Sequence, residues 1–515
     1  MKNSIVFKDV SFAYPDSEKI ISNLNMKVGV GEFVIVVGSS GSGKTTFLRM
    51  INGLIPHFTG GTFSGSVTVF GKDTKHTTTR EMSREVGLVF QDPESQFVMS
   101  SVESELAFGM ENLALPNQEI RYGMELNSKR FKLEKLMKRQ VETLSGGEKQ
   151  KTILASVLAM TPSILLFDEP TSQLDPESTQ EFIQNLNRLK KEGATIILSE
   201  HRIERLLHLA DKLFDMDNMA FGKPADVMQS MKNRPSYTEL SIALDKRGYD
   251  IRTPTNYSSA KKAFRNLRYK KIPKDKPLNS GEKIIEVIGL SKSFKNVPVL
   301  SGINLGICRG DFLAVIGANG CGKTTLVKHF NGLLKPDSGS VHVLGEDIAS
   351  FETEEIAKTV GYVSQNPNEY LFSDTVYDEL MFTLDNLGVT ADPLKTLEFL
   401  GIAHLKDRYP RDLSGGERQL CALASVIVSG PEVVVFDEPT RGVDIAWKKN
   451  MMGVLERIWK KGKTIVLVTH DIDSIAAHCK RACIMAGGSI VADGCVREVL
   501  YSNKKYQPTI MSVLG

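Results

Sequence analysis

Cysteine is scarce in this chain: there are six among 515 residues, all from Cys308 onward, and no two have the spacing of a CxxC pair. That scarcity excludes a disulfide-stapled secreted domain and a cysteine-rich cluster site, and it fits a reducing compartment. His478, Cys479 and Cys483 lie close in sequence but lack a fourth ligand, and Cys483 falls on a following strand, so ordinary packing is the simpler reading. Long apolar runs are missing as well. The longest candidates are strand-sized, such as residues 33–37 and 433–436, whereas a membrane span requires roughly 18 apolar residues. The opening MKNSIVFKDV has no apolar segment leading to a small-residue cleavage site, which argues for a chain retained in the cytoplasm. Strong net charge is absent too, at +3 overall, yet residues 232–276 hold 13 basic and 4 acidic residues, hence +9, and leave the remainder at −6. This stretch, rich in Ser, Pro, Tyr and Asn, reads as a solvated connector; contact with anionic lipid or RNA is the sharper alternative.

What the chain does have is a duplication. GSSGSGKTT at residues 38–46 returns as GANGCGKTT at residues 317–325. Each copy is followed, in the same order, by a glutamine (Gln91, Gln365), an LSGGE stretch (144–148, 413–417), an apolar run ending in FDEP (167–170, 436–439) and a histidine (His201, His470). From LSGGE onward the displacement is constant at 269 residues, as from 145 to 414, 168 to 437, 175 to 444 and 201 to 470. A chain of this length with 41% hydrophobic residues buries more than one core. The expected organisation is a first domain over residues 1–230, a basic linker over 231–282 and a second domain over 283–515. Short β-rich runs (33–37, 164–167 and 195–198; then 312–316, 433–436 and 464–468) alternate with helical segments. That pattern predicts an α/β fold with a mainly parallel sheet in each half, plus smaller attached β and helical subdomains.

The Gly-x4-Gly-Lys-Thr spacing makes a glycine-rich turn that wraps phosphate oxygens with backbone N–H groups, while the following helix aims its positive end at the same anion. Both copies lie between a predicted strand and a predicted helix. The expected triphosphate contacts are Gly38, Ser39, Gly41, Gly43, Lys44, Thr45 and Thr46 in the first half. In the second they are Gly317, Asn319, Gly320, Gly322, Lys323, Thr324 and Thr325. Lys44 and Lys323 would neutralise the β- and γ-phosphates, and Thr45 and Thr324 would ligate Mg²⁺ through their hydroxyls. Asp168 and Asp437 each close an apolar run, at the carboxyl end of a buried strand where open α/β sheets place their ligand crevice, and are expected to serve Mg²⁺. Glu169 and Glu438 point to the other side of the strand end and are suited to polarise a water in line with the γ-phosphate. His201 and His470 follow β-rich runs, from where a histidine can bond the γ-phosphate and orient that water.

LSGGE places a serine and two glycines at the start of a helix, a second anion-binding end in a half that already has one. The economical reading is that it serves the nucleotide of the other half. Ser414, Gly415 and Gly416 would complete the site of the loop at residue 38, and Ser145, Gly146 and Gly147 that of the loop at residue 317. The chain would then be an internal pseudo-dimer, head to tail, that ATP holds together and hydrolysis releases.

These motifs, in this order, resemble the nucleotide-binding domains of ABC ATPases, and the resemblance covers each half nearly end to end. It implies tandem P-loop domains with a RecA-like parallel-sheet core, antiparallel β and α-helical subdomains, and ATP and Mg²⁺ as cofactors. It implies that Gln91 and Gln365 contact the γ-phosphate and Mg²⁺ and pass that state to a membrane partner. It also places Tyr14, with Phe294 aligned to it, in the adenine-stacking position.

In finer detail the chain resembles the fused ATPase component of energy-coupling factor importers. The stretches that carry this are NGLIPHFTGGTFSGSV after the first loop, FQDPESQFVMSSVESELAFGMENLALP around Gln91, SQNPNEYLFSDTVYDELMFTLDNLGV around Gln365, SEHR at His201 and DEPTRGVD at residues 437–444. The resemblance implies two partners, a transmembrane coupling protein and a small substrate-capturing membrane protein, with no nucleic acid and a peripheral place on the cytoplasmic face of the membrane. Glu103, Glu105, Asp378 and Glu379 would help form grooves for basic coupling helices of the membrane protein. The alternative is a soluble tandem ATPase acting on ribosomes, but such proteins usually carry NHLD after DEPT, where this chain has SQLD (172–175) and RGVD (441–444). The tandem ATPase of sugar importers normally has one decayed site, whereas Glu169, Glu438 and both histidines are intact here. Lys149 in place of the matching Arg418, a shortened hairpin near residues 217–222, and Cys321 inside the second loop, where thiolate character is expected, are departures from the pattern.

Overall fold

A computed structural model describes the chain apart from residues 1–2, 16, 173, 175, 252, 266, 268–280, 368–369, 440–444 and 515, and apart from the side chains of residues 176, 177, 445, 446 and 512. Two compact units form, Met1–Leu267 with Val513–Gly515, and Arg268–Ser512.

The first unit contains β1 (Asn3–Ala13), β2 (Lys19–Gly29), β3 (Phe33–Val37), β4 (Thr62–Val69), β5 (Lys72–Asp73), β6 (Val86–Val89), β7 (Ile164–Asp168), β8 (Thr195–Ser199), β9 (Lys212–Asp215) and β10 (Ala220–Gly222). They make an antiparallel sheet in the order β2-β1-β4-β5 and a six-stranded sheet in the order β10-β9-β3-β8-β7-β6, parallel except for β10. Every residue of β3, β7 and β8 is buried. That is why these strands read as unbroken apolar runs: a parallel sheet is covered on both faces. β2 instead buries alternate residues, Leu24, Met26 and Val28, as a sheet with one wet face does.

The second unit repeats this plan with β11 (Lys283–Phe294), β12 (Val297–Cys308), β13 (Phe312–Gly317), β14 (Ser338–Val343), β15 (Glu346–Asp347), β16 (Val360–Val363), β17 (Val433–Asp437), β18 (Thr464–Val468), β19 (Arg481–Ala486) and β20 (Ser489–Cys495). The orders are β12-β11-β14-β15 and β16-β17-β18-β13-β19-β20. Alternate residues of the central strands enter two separate cores. Leu313, Val315, Val433, Val435, Val466 and Val468 pack with the antiparallel sheet, while Phe312, Ala314, Val434, Phe436, Ile465 and Leu467 pack with the helices Gly415–Ile427 and Ile445–Lys460. At about 1.5–3 kcal/mol for each fully buried large side chain, these two layers fix the strand ends from which the functional residues project.

The compact first unit continues past residue 231, where the sequence reads as linker, to Leu267. It includes the helices Ser236–Asp245 and Tyr257–Phe264, anchored by fully or almost fully buried Tyr237, Ala260 and Phe264. The rings of Tyr237 and Tyr257 lie 5.7 Å apart. A few apolar anchors scattered among basic residues suffice to fold this stretch, and a charge count conceals them. Among the described residues no helix is long and apolar enough to cross a membrane.

Candidate active site

In both units the central strand runs into the glycine-rich loop, and a helix follows, Lys44–Ile51 and Lys323–Phe330. Gly43 and Gly322 stand at the helix starts with φ of 95° and 100°, and a Cβ at either would strike Ile20 or Leu300. Only glycine combines that left-handed backbone with so close an approach. Lys44 Nζ donates to the carbonyl oxygens of Gly38 (3.0 Å) and Ser39 (3.1 Å) and lies 3.4 Å from Glu169 Oε1. Lys323 Nζ donates to Gly317 and Ala318, both at 3.0 Å.

In the first unit Thr45 Oγ1 donates to Asp168 Oδ2 at 2.6 Å, and Ser199 Oγ donates to Asp168 Oδ1 at 2.7 Å. Glu169 adopts φ 44°, a left-handed conformation that costs a non-glycine residue about 1–3 kcal/mol. Its N–H donates to Ser199 O (3.1 Å) and Ser199 Oγ (3.0 Å). The Glu169 side chain meets Lys44, His201 and Gln91: Oε1 lies 2.8 Å from His201 Nε2, and Oε2 accepts from Gln91 Nε2 at 3.1 Å. Burial, the largest single influence, raises the Glu169 pKa, but the hydrogen bond and charge of His201 together with Lys44 prevail and hold it below its ordinary value. The carboxyl is therefore ionised at neutral pH, as a proton acceptor must be.

The second unit reaches a similar arrangement through different bonds. Thr324 and Tyr362 bond the Asp437 carboxyl, Tyr362 OH donating to Oδ2 at 3.0 Å. Asp437 Oδ1 is buried with no hydrogen-bond partner among the described residues. Burial first, and then the Glu438 charge, push the Asp437 pKa above its ordinary value in spite of those bonds. Glu438 has φ 50°, its N–H donates to Val468 O at 2.8 Å, and its Oε2 lies 3.8 Å from His470 Nδ1. A buried carboxylate oxygen without a donor, beside a threonine hydroxyl, is a donor set that suits a hard divalent cation. Thr45 with Asp168, and Thr324 with Asp437, would hold Mg²⁺, which when bound supplies positive charge to phosphate oxygens. Gln91 is engaged by Glu169, and Gln365 lies two residues beyond β16, partly buried.

Each LSGGE stretch caps a helix, Gly146–Ala159 and Gly415–Ile427. Glu148 Oε2 accepts from Ser145 N–H and Oγ, both at 2.8 Å, and Glu417 Oε2 accepts from Ser414 N–H (2.9 Å) and Oγ (2.7 Å). Gly146, Gly147, Gly415 and Gly416 form the first turns behind these capping boxes. Residues 173, 175 and 440–444, which include half of SQLD and all of RGVD, lie outside the described residues.

Tyr14 is partly buried, edge-on to Phe12 at 4.9 Å, and its hydroxyl shares a 2.9 Å hydrogen bond with Thr46 Oγ1. Phe294 ends β11, 44% exposed. Ser39 is turned toward Asp217, whose carboxylate accepts from its N–H (3.0 and 3.1 Å) and Oγ (2.7 Å). Asn319 is exposed, whereas Cys321 is 8% exposed and lies in the same apolar cluster as Val315.

Two acidic residues do not do what their charge suggested. Glu105 and Glu379 are 4% and 2% exposed, so they do not line a groove. Glu105 Oε2 accepts from Val98 N–H (3.1 Å) and Met99 N–H (2.9 Å), and Glu379 Oε2 accepts from Phe372 N–H (3.0 Å) and Ser373 N–H (2.8 Å). Loop amides without a strand partner need acceptors, and these carboxylates supply them. Val98 and Phe372 are thereby held 62% and 52% exposed. Glu103 and Asp378 remain on the surface. Among the described residues no group of three His, Cys, Asp or Glu is placed to hold a metal, and Cys479 and Cys483 are buried. A cleft of about 1150 Å³ lined by Phe70, Tyr122, Leu126, Leu158 and Leu189 contains none of the motif residues. Ser199 and Tyr362 were not legible as site residues, because they join the aspartates only through sheet neighbours.

The ABC transporter family pattern matches residues 21–172 and 300–441. A protein of Methanosarcina mazei, named a candidate ABC transporter ATP-binding protein, is 36% identical over 96% of this chain and 90% of its own length. One of Caldanaerobacter subterraneus subsp. tengcongensis, named likewise, is 36% identical over 97% of this chain and 93% of its own. Among solved structures, cbiO1 from Clostridium perfringens, described as part of the ABC transporter complex cbiONQ, is 32% identical at a TM-score of 0.40, covering 43% of this chain and 92% of its own.

Proposed function

The chain belongs to the ABC transporter family, and from that membership we propose that it supplies ATP hydrolysis to an importer of the energy-coupling factor type. Its two ABC ATPase domains bind and hydrolyse ATP, and proteins of this kind generally need Mg²⁺ and pair with membrane components. The cargo is a vitamin, a vitamin precursor or a transition-metal ion. The observation that carries the ATPase reading is the Glu169 cluster, where a lysine, a histidine and a glutamine converge on one ionised carboxylate at the end of β7. In this reading Glu169 and Glu438 accept the proton of the attacking water. His201 and His470 orient it, and the phosphate loops with Thr45, Thr324, Asp168 and Asp437 hold the nucleotide and its metal. Tyr14 and Phe294 stack on adenine.

The finer assignment is supported by the segments around Gln91 and Gln365 and by the exposed Val98, Phe372 and Phe382, the last two stacked edge-to-face at 4.6 Å. Val98 in the first half, and Phe372 with Phe382 in the second, offer each half its own apolar docking point for a membrane subunit, Val98 and Phe372 being held outward by the buried glutamates. Ser145 and Ser414 would each complete the nucleotide site of the other half. Tandem ATPases that act on ribosomes are the competing reading, so the decisive experiment is tagged purification from detergent-solubilised membranes. A polytopic protein retained with the chain upholds the importer, and ribosomal RNA retained in its place overturns it. Gln91→Ala and Gln365→Ala are expected to leave ATP binding within about twofold while abolishing transport; equal loss of both would refute the coupling role.

A further inference from the structure

Glu200 and Thr469 hold the same place in the two halves, one residue before His201 and His470, yet they differ in kind. Glu200 is 2% exposed and its carboxylate is well bonded. Oε1 accepts from Thr171 N–H (2.8 Å) and Thr171 Oγ1 (2.6 Å), and Oε2 accepts from His201 N–H (3.2 Å). The Glu200 N–H donates to Val36 O at 3.0 Å, which ties the group to the end of β3 as well. Thr469 Oγ1 instead accepts from Asp471 N–H at 3.1 Å, a bond within its own turn.

A buried carboxylate is costly to desolvate, far more so than a threonine hydroxyl. Burial is the largest influence on Glu200 and raises its pKa, and the Glu169 charge acts in the same direction. The bonds indicate what offsets that cost. Thr171 lies two residues after Glu169, and His201 follows Glu200 directly, so the carboxylate clasps the two chain segments that carry the reacting pair. Where the clasp is present, His201 Nε2 and Glu169 Oε1 are 2.8 Å apart. Where threonine stands in its place, His470 Nδ1 and Glu438 Oε2 are 3.8 Å apart.

We propose that Glu200 is a positioning residue of the first ATP site, holding the Glu169 turn and His201 at hydrogen-bonding distance, and that the second site lacks this device. The inference rests on reading Glu169 as the proton acceptor. It is tested in the full-length chain carrying Glu438→Gln to silence the second site, with phosphate release from MgATP followed under single-turnover conditions. Glu200→Thr, which copies the second half, is expected to lower the rate at saturating MgATP by about tenfold while moving the half-saturating MgATP concentration less than about twofold. Glu200→Gln, which keeps an acceptor for Thr171, retains at least about half of the rate. An unchanged rate in Glu200→Thr, an equal loss in Glu200→Gln, or a loss confined to the half-saturating concentration overturns the proposal. If thermal unfolding shows that Glu200→Thr does not fold, Thr171→Val removes only the hydroxyl donor and is expected to slow release about threefold; an unchanged rate there also overturns it. Glu169→Gln in the same background separates the two layers: release that survives it refutes the proton-acceptor reading itself.

Discussion

Asp168 in the first unit and Asp437 in the second end equivalent strands, yet each takes its supporting hydroxyl from a different side of the sheet. Asp168 is bonded by Ser199 at the end of β8, where the second unit has Val468; Asp437 is bonded by Tyr362 on β16, where the first has Leu88. Both strands flank the aspartate, so either can supply the donor. The outcomes are not equal, because both Asp168 oxygens are satisfied while Asp437 Oδ1 has no partner among the described residues. An oxygen buried without a donor favours a cation more strongly. The same imbalance recurs nearby: the first unit adds the Glu200 clasp and the Asp217 bond to Ser39, whereas Ala318 and Ala486 occupy the positions matching Ser39 and Asp217. A duplicated chain thus keeps the chemistry and varies what steadies it.

The largest effects should come from the carboxylates proposed to accept the proton. The double variant Glu169→Gln, Glu438→Gln is expected to lower steady-state ATP turnover by more than about 100-fold. Of the single variants, Glu169→Gln should leave less activity than Glu438→Gln if the closer Glu169–His201 pair marks the more active site. Equal residual rates would break the comparison.

Next come the second glycines of LSGGE. A Cβ on Gly147 would meet Ser178 Oγ at 3.2 Å, but a Cβ on Gly416 would run into the ring of Trp447, the residue matching Ser178. Overpacking of this kind costs about 1–3 kcal/mol. Gly416→Ala is therefore expected to reduce turnover about tenfold more than Gly147→Ala does, and adding Trp447→Ser should bring it to the level of Gly147→Ala.

Ser199→Val, which copies the second half, would strip Asp168 Oδ1 and Glu169 N–H of a partner and cost about 1–3 kcal/mol in urea unfolding. Tyr362→Phe removes the bond to Asp437 Oδ2 and should cost about 0.5–1.5 kcal/mol by the same measurement. The reverse order would show that the second half depends more on its tyrosine than its bonds suggest.

The smallest effect is one in which the halves should agree. Bonds from Ser145 hold Glu148 below the ordinary glutamate value, although burial acts the other way, and bonds from Ser414 do the same for Glu417. A depressed carboxyl contributes stability above its unfolded value, and that contribution is lost as pH falls through its folded one. Amide protection relative to the intrinsic exchange rate at the starts of both helices should fall together below about pH 4.5. Loosening of only one would reveal a difference that the capping geometry does not show.

Much of the candidate site is legible in the sequence, because a phosphate cradle is built from contiguous residues: the glycine-rich loop, FDEP and LSGGE each occupy a few neighbouring positions. Charge is a poor guide to exposure at two places in this chain. Glu105 and Glu379 are acidic and buried, since the amides of residues 98–99 and 372–373 needed acceptors. The basic stretch after residue 231 held helices because Tyr237, Ala260 and Phe264 outweigh their charged neighbours once they are packed.

The sequence alone determined the duplication and the α/β class, and it named the residues proposed to meet phosphate, since each rests on local pattern. Only the tertiary structure decided which hydroxyl supports which aspartate, that Glu200 faces Thr171 rather than water, and how closely each glutamate meets its histidine. Those relations join positions 29 to 75 residues apart. They are set by strand order and by the need to satisfy buried polar atoms, which composition and spacing do not encode.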